Sequence, residues 1–239
     1  MIKIVIDQGN SAIKYGIFDK DKLILAETAD GPDQNRLRKV ISDYQPEAAI
    51  ISSVTEPLDL SSLPAFSGRL IVLDNNTPLP FSIGYKTPET LGRDRIAAVS
   101  GAQALFPGTS LLIIDAGTAL TYEVLLNGQH YYGGNISPGL SMRFKALNSF
   151  TSKLPLVDKQ ENCPLAGQST QEAIASGVIN GMVFEMEGYR AACLDKWGID
   201  KTIITGGDSD FFARKLKNPI FVNQNLVLVG LNRILEYNV

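Results

Sequence analysis

The alternation of apolar and polar residues predicts a similar series of strands and helices in each half of the chain. In the first half, apolar and β-branched runs predict strands near residues 2–7, 13–18, 22–28, 47–53 and 69–73. In the second half, they predict strands near residues 111–115, 119–126, 129–136, 201–205 and 219–222. Helices are expected near 33–43, over 91–105, after Pro138, from Ser169 to about Asp195, shortly after 207, and over 224–237.

The first strand of each half ends in the same short motif. One copy reads IKIVIDQG, with Asp7 as its acidic residue, and the other reads LLIIDAG, with Asp115. The two aspartates lie almost half the chain apart, which indicates an internal duplication. We therefore expect an α/β protein with two similar lobes, residues 1–109 and 110–239, each a mixed sheet flanked by helices.

A D-x-G turn after a buried strand is suited to binding phosphates. The glycine allows a tight turn, and the turn presents a carboxylate and free backbone N–H groups at one edge of a sheet. Such an edge can hold a phosphate chain with its cation. A single D-x-G is most simply an ordinary hairpin turn, but two copies, each opening one half of the chain, favour nucleotide binding.

Composition narrows the class of protein. Lys and Arg number 22 against 25 Asp and Glu, and no basic cluster is present, so we expect no nucleic-acid partner. The apolar runs are too short to span a membrane, and the first residues do not have the layout of a signal peptide. Two cysteines without a disulfide pattern indicate a reduced, cytoplasmic protein. His130, the single histidine, is expected at a solvated hairpin tip, which leaves acid–base chemistry to a carboxylate or a lysine.

Several longer motifs give the chain a family resemblance. They are Asp7-Gln8-Gly9-Asn10-Ser11-x-x-Lys14, Gly92-Arg93-Asp94-Arg95, Asp115-Ala116-Gly117-Thr118-Ala119, Gly133-Gly134-Asn135-Ile136-Ser137-Pro138-Gly139, Gly167-x-Ser169-Thr170 and Thr205-Gly206-Gly207-Asp208. Together they resemble the type III pantothenate kinases, a family of the acetate and sugar kinase, Hsp70 and actin superfamily. The resemblance runs nearly end to end and implies two ribonuclease H-like, actin-like ATPase lobes. Ser11 stands where family members usually have threonine, and the hydroxyl is retained.

The resemblance implies transfer of the ATP γ-phosphate to the primary hydroxyl of pantothenate, the first step toward coenzyme A. Asp7 would hold Mg²⁺, and Asp115 would bind the monovalent cation, K⁺ or NH₄⁺, that many members require. The residues implied in nucleotide binding are Asp7, Gln8, Gly9, Asn10, Ser11, Ala12, Ile13, Lys14, Thr118, Gly206 and Gly207.

The resemblance makes Asp94 the candidate general base for the hydroxyl of pantothenate. From the residues alone, Asp94 is equally consistent with an acid that stabilises the first turn of a helix. The residues implied in pantothenate binding are Tyr85, Gly92, Arg93, Asp94, Arg95 and Thr170, and an arginine can pair with the substrate carboxylate. Tyr85 is also consistent with an ordinary half-buried tyrosine, and either Ser169 or Thr170 could cap the helix that follows.

The resemblance also suggests a homodimer, with helices of the second half at the interface and Thr170 in the partner's site. The apolar stripe Ile174, Val178, Met182 and Met186 suits either a core or an interface. Two other functions stay open. One is a sugar or carboxylate kinase of the same superfamily. The other is a catalytically silent ATP-binding sensor or transcriptional accessory protein of the same fold.

Overall fold

In a computed structural model, the described residues are 1–9, 12–30, 34–53, 66, 68–217 and 219–239. The described chain forms two compact units. The first contains residues 1–109, 128–131 and 225–239, and the second contains residues 110–127 and 132–224. The last 15 residues thus pack in the first unit with residues 1–109.

Apart from the two-residue strand β6 and a short 3₁₀ helix, the helices and strands follow the order expected from the sequence, with small differences at their ends. The strands are β1 Ile2–Gln8, β2 Ala12–Asp19, β3 Lys22–Asp30, β4 Ala48–Ser53, β5 Arg69–Val72, β6 Ser82–Ile83, β7 Leu111–Ala116, β8 Ala119–Leu126, β9 His130–Pro138, β10 Thr202–Thr205 and β11 Phe221–Val222. The helices are α1 Gln34–Tyr44, α2 Arg93–Leu105, α3 Leu140–Ser149, α4 Thr170–Trp197, α5 Ser209–Ala213 and α6 Leu226–Asn238, with a short 3₁₀ helix at Pro88–Thr90.

Both units contain a mixed sheet with the same strand order. One sheet has the order β3-β2-β1-β4-β5, and the other repeats it as β9-β8-β7-β10-β11, with β6 added beside β9. In each, the central strand pairs antiparallel with the next strand of the chain and parallel with the fourth: β1 with β2 and β4, and β7 with β8 and β10. The common order confirms the predicted α/β fold with two similar lobes.

The core of the first unit is formed by β-branched side chains and two closely packed helices. Ile4, Ile6 and Ile51 are inaccessible to solvent beneath α1. Against this sheet, α2 and α6 pack at backbone distance, because a Cβ at Gly230 would lie 1.7 Å from the carbonyl oxygen of Ala97. This contact explains why the C-terminal helix belongs to the first unit.

The segment around His130 differs from its prediction. His130 is the first residue of β9, and its Nδ1 lies 2.9 Å from the hydroxyl of Ser82 in β6, which pairs parallel with the start of β9. The histidine is half-buried. The expectation of a solvated loop histidine is therefore wrong, because a strand of two residues, too short to show periodicity, pairs with this segment.

Helix α4 follows the predicted capping pattern. The Ser169 hydroxyl accepts a hydrogen bond from the Glu172 N–H at 3.2 Å, and the Glu172 carboxylate accepts one from the Gln168 N–H at 2.8 Å. Ser169 is therefore the cap, and Thr170 is free to take another role. The predicted apolar stripe of α4 is buried in the core of the second unit. None of the helices in the described ranges has the length and apolar character needed to cross a membrane.

Candidate active site

Asp7 lies near the carboxyl end of β1, the central strand of the first unit. It is directly opposite Lys14 on one side and Ser52 on the other. Burial, followed by the negative charge of Asp94, raises the pKa of Asp7 to about 6, while a hydrogen bond from Ser52 and the charge of Lys14 act in the opposite direction. Two carboxylates close enough to repel each other form a site that a cation would stabilise.

Asp94 lies in the first turn of α2. Its Oδ1 accepts a hydrogen bond from the Arg95 N–H at 2.9 Å, and its side chain is exposed. Gly92, the residue before this turn, gives the carboxylate room, because a Cβ there would lie 2.5 Å from Asp94 Oδ1. The sequence pattern G-x-D-R therefore gives a carboxylate that is oriented by the helix start and accessible to a small substrate.

The two arginines of this motif have different surroundings. Arg95 is buried, and its guanidinium lies 5.5 Å from the ring centroid of Tyr85. Arg93 is half-buried, and its Nη1 donates a 2.7 Å hydrogen bond to the carbonyl oxygen of Ser53, the last residue of β4. The structure thus brings the predicted substrate residues Tyr85 and Arg95 together and directs Arg93 to the backbone of the sheet.

Asp115 occupies the matching position in the second unit, with different neighbours. It pairs with Thr121 of β8 and Thr205 of β10, two buried threonines, where Asp7 has Lys14 and Ser52. Gly206 follows Thr205 with a φ of 91°, and a Cβ at that glycine would lie 2.4 Å from Asp115 Oδ1. The Asp208 N–H then donates to the Ala116 carbonyl oxygen at 3.0 Å, so the glycine turn wraps around the end of β7.

Thr118 and Thr170 lie in separate parts of the second unit. Thr118 is exposed in the turn after β7, and a Cβ on Gly139, which precedes α3, would lie 2.3 Å from its carbonyl oxygen. Thr170 is the first residue of α4 and lines a groove of about 730 Å³ between α3 and α4, together with Arg143 and mainly apolar side chains.

The remaining predicted nucleotide residues belong to the first turn. Gln8 pairs with Ile13 across β1 and β2, Gly9 is exposed at the end of β1, and Ala12 begins β2. Asn10 and Ser11 lie outside the described residues.

The sequence analysis missed Ser52 and Ser53 at the end of β4. Ser52 hydrogen-bonds Asp7, and Ser53 accepts from Arg93. Their signal was a pair of hydroxyl residues that ends the apolar run of residues 48–51, in the strand parallel to β1. The carboxyl ends of parallel neighbours lie at one edge of a sheet, so this pair could have been placed beside Asp7.

The described residues contain no cluster of three or more His, Cys, Asp or Glu side chains that could hold a metal ion. Asp7 nevertheless fits a divalent cation, because Mg²⁺ is commonly bound through one or two carboxylates plus substrate phosphates and water. A cation there would offset the repulsion that raises the pKa of Asp7.

Sequence comparisons point to one family over the whole chain. The family model for type III pantothenate kinase matches residues 3–192. A type III pantothenate kinase of Cytophaga hutchinsonii is 46% identical over 241 residues, with 100% of both chains covered. One from Phocaeicola vulgatus is also 46% identical, with 99% of both chains covered. One from Porphyromonas gingivalis is 41% identical and covers 99% of this chain and 98% of its own.

Solved structures support the fold. A putative Baf family transcriptional activator from Campylobacter jejuni matches with a TM-score of 0.64 and 22% identity, over 98% of each chain. A putative N-acetylmannosamine kinase from Listeria monocytogenes matches with a TM-score of 0.55 and 11% identity, over 100% of each chain. At these identities the matches show a shared fold and carry no function across.

Proposed function

Since the chain belongs to the type III pantothenate kinase family, we infer that it transfers the γ-phosphoryl group of ATP to the primary hydroxyl of pantothenate, in the first step of coenzyme A biosynthesis. The function is assigned to particular residues mainly because the charges of Asp7 and Asp94 interact in the first unit. Asp7 lies near the end of the central strand, which suits a role beside the phosphates of ATP. Asp94 is exposed at the start of a helix, which suits a role beside the acceptor hydroxyl.

Asp94 acts as the general base. Its carboxylate is exposed, and the Arg95 N–H fixes one oxygen, so the other is available to accept the proton of the pantothenate hydroxyl. In phosphoryl transfer most of the catalysis comes from positioning and charge stabilisation, which is why a single oriented carboxylate can meet the need for a base.

The first turn holds the phosphates of ATP. Asp7 would hold Mg²⁺, which when bound shields the negative charge of the polyphosphate, and Lys14 places a positive charge opposite it. The backbone of Gln8, Gly9, Ala12 and Ile13 contributes to phosphate binding, and we assign Asn10 and Ser11 to the phosphates from the family motif alone. In the second unit, we assign Thr118, Gly206 and Gly207 to the nucleotide, because the glycine turn keeps backbone exposed beside Asp115.

Asp115 binds a monovalent cation. Its neighbours across the sheet are the hydroxyl residues Thr121 and Thr205, whereas Asp7 has a lysine at the matching position. A carboxylate flanked by neutral oxygen donors, with no lysine opposite it in the sheet, is suited to K⁺ or NH₄⁺.

Pantothenate binds beside Tyr85, Gly92, Asp94 and Arg95. Arg95 is held against the Tyr85 ring, and a guanidinium in that setting can pair with the pantothenate carboxylate through two parallel hydrogen bonds. The buried position of Arg95 strengthens such a pair, because fewer water molecules compete for it.

The enzyme is a cytoplasmic homodimer that uses helix α4 at its interface. Spacings of seven, four and seven residues place Thr170, Gly177, Gly181 and Gly188 on one face of α4. A Cβ on any of these glycines would meet no described atom within 4 Å. Glycine inside a helix costs about 1 kcal/mol relative to alanine, so three open glycines on one face favour close approach by a second chain. The dimer would place Thr170 in the partner's pantothenate site.

A coupled ADP-release assay with ATP and Mg²⁺ tests this function. We expect ADP release that depends on pantothenate and not on glucose or acetate, and that falls when Na⁺ replaces K⁺. Asp94→Asn should reduce kcat by ~10²–10⁴ while the protein stays folded. Release without pantothenate dependence would contradict the acceptor, full activity in Na⁺ would contradict the cation site, and near-normal turnover by Asp94→Asn would contradict the base.

The silent ATP-binding sensor and the sugar or carboxylate kinase are not favoured. The curated relatives that match the whole chain are type III pantothenate kinases, and the transcriptional and sugar-kinase names occur among structures that share the fold alone.

A further inference from the structure

We propose that Arg93 is a positioning residue that anchors the first turn of α2 to the end of β4 and so sets Asp94 relative to Asp7. It does this without binding the carboxylate of pantothenate. The proposal rests on the proposed function and gives Arg93 a different role from the one that the resemblance implied.

The anchor is a single charge-assisted hydrogen bond between two elements of the first unit. Arg93 Nη1 donates to the Ser53 carbonyl oxygen at 2.7 Å. Ser53 pairs with Gln8, and Ser52 pairs with Asp7 and hydrogen-bonds its side chain. The bond therefore ties the residue before Asp94 to the strand that orients Asp7.

The start of α2 is not held by a side chain at its N-cap. Gly92 is the N-cap and has no side chain to accept from the exposed N–H groups of the first turn. The Asp94 carboxylate accepts one of them, from Arg95. A carboxylate used both as base and as local cap needs its helix start held by another group, and Arg93 supplies that restraint.

Arg93 lies near an acid of the protein, Asp74. Hydrogen bonds from Thr77 and Asn76 hold the pKa of Asp74 below its usual value, and the nearby positive charge of Arg93 adds to that effect. Arg95, in contrast, is stacked on Tyr85, a predicted pantothenate residue. The two arginines therefore differ: Arg93 binds the backbone of β4 and lies near an acid of the protein, whereas Arg95 lies against Tyr85.

The test compares pantothenate with its alcohol analogue pantothenol, which keeps the reacting hydroxyl and lacks the carboxylate. A misplaced base slows both acceptors equally, whereas loss of a carboxylate partner slows pantothenate alone. For Arg93→Ala we expect kcat to fall about tenfold or more with both acceptors, since small displacements of reacting groups can cost ~10²-fold. The ratio of kcat/KM between the acceptors should stay within about twofold of wild type.

A conservative variant and a surface control complete the design. Arg93→Lys keeps a positive donor that can reach a carbonyl oxygen, so it should recover at least part of the lost kcat. Arg69→Ala, at an exposed position of β5, should match wild type. An unchanged kcat for Arg93→Ala, or a loss confined to pantothenate, would overturn the proposal.

Amide hydrogen exchange separates failure of this proposal from failure of the proposed function. In Arg93→Ala, the amides of the first turn of α2 should exchange faster than in wild type, while those of α1 should not change. Equal exchange of α2 in both proteins would overturn the anchor whatever the activity. If the wild type phosphorylates neither acceptor, the proposed function fails, and faster exchange would still establish the anchor.

Discussion

The ionisation of Asp7 is affected by side chains from three elements: Lys14 of β2, Ser52 of β4 and Asp94 of α2. Burial and the charge of Asp94 favour its protonated form, while Ser52 and Lys14 favour the carboxylate, and the balance leaves its pKa at about 6. In the unfolded chain the pKa is the ordinary value of 3.8. Between these values the folded protein binds more protons at Asp7 than the unfolded chain does, so this residue makes folding less favourable as pH rises.

Asp7→Asn should therefore gain stability relative to wild type as pH rises. Without nucleotide or divalent cation, the difference in unfolding free energy should grow from pH 4 through about pH 6 and become constant above about pH 7. Urea denaturation of both proteins at several pH values measures it, and carboxylates that do not interact with Asp7 cancel in the difference. A difference that does not change with pH would show that Asp7 ionises normally in the folded protein.

Gly92→Ala should impair catalysis more than folding. A Cβ at this position would lie 2.5 Å from Asp94 Oδ1, so the carboxylate must rotate and lose its bond to the Arg95 N–H. The glycine has a φ of −58°, which alanine adopts without strain. We expect kcat to fall about tenfold or more with little change in thermal stability.

The double variant Gly92→Ala/Asp94→Asn provides the control for that prediction. If the alanine acts through Asp94, adding it to Asp94→Asn should cause almost no further loss of kcat. Multiplicative losses would show that Gly92 acts on the substrate independently of Asp94.

At the level of elements, α2 and α6 pack closely at two glycines, where an added Cβ would overlap backbone atoms of the other helix. A Cβ at Gly230 would overlap the carbonyl oxygen of Ala97, and one at Gly101 would lie 2.2 Å from that of Leu226. Gly230→Ala should lower the unfolding free energy by about 2 kcal/mol or more, because backbone must move to relieve the overlap. Urea denaturation measures the loss. Tyr237→Ala, on the exposed part of α6, should change stability by only about 0.5 kcal/mol, and an equal loss in both variants would contradict the close packing.

The sequence predicted the long elements well and the long-range pairings poorly. Strands such as β1 and β7 were found because a buried central strand needs a continuous apolar run. The two-residue strand β6 gave no periodicity, and its pairing with His130 therefore went unpredicted.

In the site, the D-x-G and G-x-D-R motifs made Asp7 and Asp94 candidates, and in the structure the charge of Asp94 acts on Asp7. The sequence could not show that Arg93 turns to Ser53, because that bond joins residues 40 positions apart and depends on the register of β4 against β1.

For the whole molecule, the open face of α4 predicts how the proposed dimer can be disrupted. Gly181→Leu adds a large side chain where the described protein has free space, so the single chain should fold normally. In a dimer that packs on this face, the same leucine would collide with the partner. We expect sedimentation to shift from dimer to monomer, and the KM for pantothenate to rise because the partner's Thr170 is withdrawn.

Lys39→Leu, on the exposed side of α1, should leave both quantities unchanged. A Gly181→Leu protein that stays dimeric with an unaltered KM would place the interface elsewhere, and a wild-type protein that is an active monomer would remove the shared site altogether.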